Sequence, residues 1–502
     1  MKFNPLATKR LVAVGALGAV VVAMGYASNA ALSRFVRAKI IRSLQDDFGS
    51  ELEIQKIDVR VFPRLQVTGE GLALFYRRRD LPPLISVARF SAESNLLSAL
   101  AGHIARARLE GLEIQIPPKS QRAGVENKKA GLAGFSLDEI VADGSILKIF
   151  PSKPDKEPLE WDIRRLTLHG ARATAPMSFN AVLTNPEPPG DIQSNGKFGP
   201  WQTNEPGDTP IEGGYTLANA DLSVFGGISG RLSSKGAYRG VLSRIEIEGA
   251  TDTPDFAVKI SGNPAHLTTR FQAVVDGTNG DTTLNPVYAQ FSKSALIARG
   301  GVTSGGKGKG KTIALNVSVE KGRLEDMLRL GVQGSDPFMT GAVAFDTKLV
   351  IPPGEIDITK KLQLDGAFKV ASAQFSQTSV QENVNKLSHR GKGEPEEPPD
   401  ANVASNFSGS FSLRNGAMKF QNLSFHVPGV NVALHGTYGL MDQTIDFHGT
   451  ATLDAKLSQT TTGVKSFLLK AVDPFFKKKS AGAVIRIKVT GNRSQPKYGL
   501  DL

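Results

Sequence analysis

The chain has 502 residues, a length that favours more than one domain unless the fold is repetitive. It contains no cysteine, which excludes disulfides, thiol catalysis and cysteine-based zinc sites. Lys and Arg total 60 against 48 Asp and Glu, a net charge of +12. The basic residues cluster only at 77–79 and 477–479, without an aromatic platform, so composition indicates a mixed solvated surface and argues against nucleic-acid binding.

Residues 11–28, LVAVGALGAVVVAMGYAS, form an uncharged apolar stretch. A bilayer core of about 30 Å needs roughly 20 apolar helical residues, with about 17 as the short limit, so this stretch can span a membrane. Lys9 and Arg10 before it and the small residues after it also fit a cleaved signal peptide. Because the apolar run exceeds the core of a signal peptide, we favour a cytoplasmic tail at 1–10 and a transmembrane helix at 11–28.

From residue 51 onward, apolar and polar residues alternate with the period of β-strands. A short helix is expected at 95–101, and a pair of strands at 104–108 and 112–116. Further along, short alternating runs follow turn signals such as Asp143-Gly144 or precede them, as at Asp276-Gly277. This pattern predicts an antiparallel meander, with an N-terminal region at 29–118 and a middle region of repeated strands at 119–387.

Residues 388–403 are rich in Pro and Glu and predict a disordered loop. The region 404–502 has the strongest strand alternation, with turns at Asn415-Gly416 and Pro428-Gly429. An amphipathic helix is expected from 462 to about 472. Either this helix caps the sheet, or it forms a tip that contacts anionic headgroups. The candidate tip residues are Phe467, Leu468, Phe475, Phe476, Lys477, Lys478 and Lys479.

Enzymatic motifs are weak in this sequence. Residues 305–312 match the phosphate-loop pattern G-x-x-x-x-G-K-[ST], but that loop must open a helix, whereas residues 313–320 alternate as a strand. A glycine- and lysine-rich hairpin loop explains the match more simply. The histidines show no metal-ligand spacing, and G-x-S-x-G is absent. We therefore predict no catalytic residue, no metal site and no cofactor.

The order of several segments resembles the AsmA family of envelope proteins over nearly the whole chain. After the apolar start come LEIQKIDVRVFPRLQVTGEGLAL and NLLSALAGHIARARLEGLEIQIP. SFSLRNGAMKFQNLSFHVPGVNVALHGTYGL and the ending AVIRIKVTGNRSQPKYGLDL follow. The resemblance implies a single-pass inner-membrane anchor, a bulk in the periplasm, and the long β-groove shared with TamB-like and chorein-type lipid transfer proteins. The chain is much shorter than the longest members of that family.

Strand alternation gives a sheet one apolar face, and that face must be covered. A second sheet covers it in a closed sandwich, whereas lipid acyl chains cover it in an open groove, and both arrangements predict the same sequence pattern. The resemblance favours the groove. By period, the candidate lining residues are Ile313, Leu315, Val317, Val319, Phe411, Leu413, Ile445 and Phe447.

The expected fold is therefore mainly β, with a transmembrane helix followed by an elongated, twisted antiparallel β-sheet groove and a few short helices. The expected function is non-enzymatic. We expect an inner-membrane-anchored periplasmic protein that binds lipid acyl chains in an apolar β-groove. It would assist phospholipid transport to the outer membrane or homeostasis of the outer membrane. The alternative is an assembly or scaffold factor that influences outer-membrane protein insertion through strand-edge contacts. Phospholipids and the inner membrane are the expected partners, with the outer membrane or an envelope protein as a further one.

Overall fold

The fold was analysed in a computed structural model of the chain. The structure describes residues 34, 37–38, 52–61, 64–75, 82–116, 136–150, 158–172, 175–186, 188–200, 202, 205–304, 310–332, 336–393, 402–454, 484–493 and 495–501. The predicted tail at 1–10, the transmembrane helix at 11–28 and all seven tip residues lie outside these ranges. Among the helices that are described, none has the length and apolarity needed to cross a bilayer.

The described chain is dominated by strands that belong to one 24-stranded sheet. The first twelve are β1 (Leu52–Arg60), β2 (Leu65–Leu74), β3 (Ile85–Ser94), β4 (His103–Ile116), β5 (Ser136–Ile149), β6 (Leu159–Arg172), β7 (Met177–Pro186), β8 (Pro189–Phe198), β9 (Pro210–Asp221), β10 (Ile228–Ser229), β11 (Arg231–Val241) and β12 (Arg244–Val258). The others are β13 (Ala265–Val275), β14 (Thr282–Phe291), β15 (Ser294–Thr303), β16 (Thr312–Arg323), β17 (Met339–Ile351), β18 (Gln363–Phe375), β19 (Ser405–Arg414), β20 (Ala417–Val427), β21 (Val430–Gly439), β22 (Thr444–Leu453), β23 (Val484–Asn492) and β24 (Gln495–Leu500).

In the part of the chain that the structure describes, helices are few and short, as the sequence predicts. Those with defined bounds are α1 (Leu96–Leu100), α2 (Leu324–Gly331), α3 (Ile358–Lys361) and α4 (Thr378–Lys392), with 3₁₀ turns at Pro206–Asp208 and Leu222–Phe225. The prediction of a short helix at 95–101 is confirmed. Asn95 caps α1, because its side chain accepts a 2.7 Å hydrogen bond from the backbone N–H of Ser98.

Strand order follows chain order along nearly the whole sheet. Consecutive strands pair antiparallel, except that β4 and β5 are parallel and the two-residue β10 pairs with the end of β12. Because neighbouring strands lie about 4.8 Å apart, the row extends roughly 100 Å. The turns predicted at Asn415-Gly416 and Pro428-Gly429 join β19 to β20 and β20 to β21. Asn415 and Gly416 have φ values of 52° and 74°, as a two-residue hairpin requires.

Several glycines predicted to lie at turns are instead inside long strands. The expected strand pair at 104–108 and 112–116 is wrong, because both segments belong to β4, and Asp143-Gly144 lies within β5. Gly111 and Gly144 each have a φ of 64°, a backbone conformation that lets the strand change direction and continue with its register unchanged. Register shifts interrupt most pairings from β9 to β21. Since bulges bend strands, they account for the curled half-barrel shape of the sheet.

The predicted loop at 388–403 is wrong over its first five residues, because α4 continues to Lys392. Val384 in this helix is buried against Val427, Val430 and Leu453 of the sheet. Gln381 accepts a hydrogen bond from the backbone of Phe375 and donates to Val403 O at 2.9 Å. The polar composition of the helix concealed this packing, and residues 394–401 lie outside the described ranges.

The two long sides of the sheet are its rims, formed by the strand ends. The α1 rim contains α1, the start of β9 and the end of β17, while the α4 rim contains α4, the end of β9 and the start of β17. In a half-barrel these rims face one another across the open side, which we call the mouth.

The positive φ of Gly144 leads to a stability prediction. No atom lies within 4 Å of a Cβ added there, so Gly144→Ala should lower the free energy of unfolding by about 1 kcal/mol through backbone conformation alone. Gly144→Asn should cost less, since Asn tolerates this region. The midpoint of urea unfolding measures both. Gly331→Ala, at an open helical position, is the control and should not destabilise; an equal loss in both variants would contradict the argument from the positive φ of Gly144.

Candidate functional site

One face of the sheet is apolar from the first strand to the last. Residues that pair across neighbouring strands share a face, so the register allows a single row to be followed through the whole sheet. We call this the central row. It consists of Val59, Val67, Ala92, Ala107, Ile140, Leu168, Phe179, Gly196, Gly213, Tyr238, Ile247, Ala273, Leu284, Gly300, Leu315, Leu349, Leu364, Leu413, Met418, Tyr438, Ile445, Gly491 and Pro496. No member carries a charge.

The structure places all eight candidate lining residues on this apolar face. Leu315, Leu413 and Ile445 belong to the central row itself. Ile313, Val317 and Val319 lie at two-residue spacing from Leu315 on the same strand, and the intervening Ala314 and Asn316 are exposed. Phe411 and Phe447 belong to the adjacent row, linked through Phe420 and Gly436. Sequence reasoning missed the N-terminal half of the face, although its strands show the same alternation.

The opposite face is polar and charged. Its equivalent row through the C-terminal half contains Arg299, Asn316, Lys348, Asp365, Ser412, Lys419, Thr437, Asp446, Thr490 and Lys497. Near the N-terminus, opposite charges meet across strands, as between Arg89 and Glu110 at 2.8 Å. Such exposed pairs contribute little energy each, but they make this face compatible with water.

Exposure shows which face is inside the curl. In β8, every residue on the polar face is exposed, and every residue on the apolar face is partly buried. Side chains on the concave side of a bent sheet converge and shield each other, whereas those on the convex side spread apart. The apolar face is therefore the inner face of the half-barrel.

Within the described residues, the helices that pack in hydrophobic clusters on this inner face lie along the α4 rim and beside α1. Leu324, Met327 and Leu328 of α2 pack on Val343 and Val370, and α4 packs on the ends of β20, β21 and β22. Ala99 of α1 packs on the buried end of β1. All described strands belong to one sheet, so the two-sheet sandwich that the sequence left open is not the arrangement of the described chain. The rest of the inner face forms an open apolar groove.

The groove changes character along its length. Between β18 and β22 it is rich in phenylalanine, with the rings of Phe407 and Phe425 4.9 Å apart and those of Phe420 and Phe447 5.7 Å apart. Between β8 and β13 hydroxyl groups appear on the same face. Their closest pairs are Ser194–Tyr238 at 2.6 Å and Thr251–Thr269 at 2.7 Å. Burial raises the pKa of the Tyr238 phenol, so this group stays neutral.

The outer face offers polar features without a reactive arrangement. A depression of about 1070 Å³ lies over β8 to β14, with Gln193, Lys235, Glu248 and Arg270 in its lining. It is open to solvent. Across the described ranges, no group of three or more His, Asp or Glu side chains could hold a metal ion. Lys311 of the rejected phosphate-loop match precedes β16, and its ammonium donates to Gly280 O; the predicted strand context is confirmed.

Near the C-terminal edge, His448 lies on the outer face between two carboxylates. Its Nδ1 is 2.9 Å from Asp501 and its Nε2 is 3.1 Å from Asp446. The hydrogen bond to Asp501, supported by Asp446, raises the pKa of His448, while the pKa of Asp501 is lowered mainly by the same bond. Lys488 pairs with His448 in the register, and the His435 ring is 6.3 Å away. The interaction fastens the chain end to β22.

Comparisons with known proteins identify no relative: no family model, no curated protein and no solved structure matches this chain.

The His448 site makes the C-terminal edge pH-dependent. Because the folded pKa is raised, the stabilisation is complete below the unfolded value of about 6.5 and is lost as pH rises through the folded pKa. NMR titration should give His448 a pKa above 6.5, and Asp501→Asn should lower it. Asp58→Asn, on the outer face of β1, is the control. An identical His448 pKa with and without Asp501 would contradict the assignment.

Proposed function

We propose that this protein binds the acyl chains of phospholipids along its inner face and assists their movement between membranes of the cell envelope. The observation that carries the proposal is the central row, which runs from β1 to β24 without a charged side chain. A site that binds one lipid needs only a local apolar patch. Movement of a lipid along the protein needs an apolar surface that is continuous from one end to the other. The resemblance to AsmA proteins supports the same proposal, with an inner-membrane anchor at 11–28 and the bulk of the chain in the periplasm.

The energetics favour this occupant. Exposing one methylene to water costs about 0.8 kcal/mol, so a lipid with roughly 30 methylenes faces a barrier on the order of 20 kcal/mol on its way through water. Residues such as Leu315 and Phe447 are only partly buried, so they leave apolar surface that acyl chains can cover. The outer face, with its charged rows, keeps the same sheet soluble. No reacting group is needed, because removing the barrier is sufficient.

Lipid contact should be detectable in intact cells by site-specific photo-crosslinking. A photoactivatable phenylalanine analogue at Leu315, on the inner face, should yield phospholipid adducts that mass spectrometry identifies on the purified full-length chain. The analogue at Asn316, the next residue on the outer face, is the matched control and should yield none. Protein adducts at both positions without lipid would instead favour the scaffold alternative.

Transport should depend on continuity of the apolar lining. Leu315→Glu places a charge in the central row, where Gly300 and Leu349 are its neighbours, and a charge in an apolar path raises the barrier to acyl chains. We expect transfer of fluorescent phospholipid between vesicles to fall about tenfold, which corresponds to a barrier increase of about 1.4 kcal/mol.

Asn316→Glu adds the same charge one residue away on the outer face and should leave transfer unchanged. Circular dichroism and gel filtration of both variants test folding. Equal transfer by two folded variants would exclude the inner face as the route.

A further inference from the structure

Two segments from opposite rims contact each other across the mouth of the groove. The first is the connection between β17 and β18, residues 352–362, which we call the strap; it contains α3 and begins at the α1 rim. The second is the loop at 222–230, which follows β9 at the α4 rim. The backbone N–H of Ile358 donates a 3.2 Å hydrogen bond to Gly226 O.

The fit between the two segments is close. Thr359 is buried, with 8% of its surface exposed, although it belongs to a connecting segment. A Cβ added to Gly227 would lie 2.9 Å from Thr359 Cγ2 and 3.1 Å from its Oγ1, and one on Gly226 would lie 2.4 Å from the Asp357 carboxylate. Both glycines have positive φ values, 62° and 80°. Glycine is therefore favoured at these positions for two reasons: it adopts this backbone conformation without strain, and it leaves room for the strap.

The topology makes this contact informative. Strand pairings place the end of β17 beside the start of β16, and the same rim continues to the start of β9. Gly226 follows the other end of β9. The strap, which leaves the α1 rim at β17, therefore reaches the α4 rim about six strands away along the sheet. Twist accumulated over many strands explains this displacement.

A second approach of the rims has the same geometry. Arg493, in the turn after β23 at the α1 rim, has its guanidinium 6.0 Å from the ring centre of Phe338, which precedes β17 at the α4 rim. At this crossing two side chains meet, whereas at the strap the backbone itself bridges the mouth. The strap is therefore the stronger barrier of the two.

We propose that the strap is a gate in the lipid path, and that phospholipids pass this point only when the strap separates from Gly226 and Gly227. This inference rests on the proposed function. A phospholipid with its acyl chains in the groove keeps its charged headgroup in water, because burying an unpaired charge is strongly unfavourable. The headgroup must therefore project from the mouth, and the strap lies across its path.

The contact is suited to reversible opening. The contact includes one backbone hydrogen bond, the packing of Thr359 on Gly227 and the approach of Asp357 to Gly226, and residues 222–230 have no charged side chain that could form a salt bridge with the strap. Ile356 of the strap and Val224 of the facing loop are 62% and 48% exposed, so apolar side chains flank the closed contact in water. An arriving acyl chain can cover these side chains when the strap opens.

A disulfide tests the gate, since the native chain has no cysteine. The spacing at Gly227 and Thr359 is close enough for the pair Gly227→Cys and Thr359→Cys to form one. The full-length double variant is reconstituted in donor vesicles of phosphatidylethanolamine and phosphatidylglycerol that contain fluorescent phosphatidylethanolamine. We expect transfer to acceptor vesicles to be about tenfold slower when the pair is oxidised, and to recover with dithiothreitol, as lid closure predicts.

The single variants Gly227→Cys and Thr359→Cys, treated with the same oxidant, are the controls and should transfer lipid like the reduced double variant. Equal transfer by the oxidised and reduced double variant would overturn the gate. The photo-crosslink at Leu315, carried into the same background, separates the two proposals. If lipid adducts form at Leu315 and the transfer rate is the same with and without the disulfide, the gate is wrong and the proposed function stands. If no adduct forms and no lipid is transferred, the proposed function is wrong.

Discussion

The structure depends on register: each strand pairs with its neighbour so that apolar side chains remain on one face. Because side chains alternate with a period of two, a slip of one residue would place a charged residue such as Lys348 beside Leu315 in the groove. Bulges add residues without breaking this rule, as between Val319 and Gly322, where the apolar row resumes beyond the shift. The groove, the charged outer face and the two rims all follow from this pairing.

An inner face of this kind couples stability to occupancy. Helices α2 and α4 cover it along one rim, where Val427 and Val430 are fully buried, but the central row between the rims has no second layer among the described residues. A ligand that binds the folded groove and not the unfolded chain adds to stability by mass action. Under the proposed function, the protein is therefore expected to be most stable when acyl chains cover the inner face.

The groove is not uniform along its length. Phenylalanines from β18 to β22 give an aromatic, apolar section, whereas the Tyr238 and Thr251 hydroxyls lie in the section from β8 to β13. The strap reaches the α4 rim beside that second section, at Gly226. Under the proposed function, continuity of the lining would allow lipid to pass, and the contact between the rims would add a point at which passage depends on conformation.

The sequence by itself determined the class of fold and the polarity of each strand. Alternation at 312–320 and the turns at Asn415-Gly416 and Pro428-Gly429 are local signals, and a strand's apolar side is set by its own residues. Sequence could not decide whether a glycine ends a strand or bends it, because Gly111 and Gly144 satisfy both patterns until neighbouring strands pair with them. Nor could the sequence reveal α4, because this helix has few apolar residues and their role is clear only where they pack against the sheet. Only the tertiary structure decided that the strands form one open sheet, and that Ile358 meets Gly226 across it, because both depend on bends and twist summed over many strands.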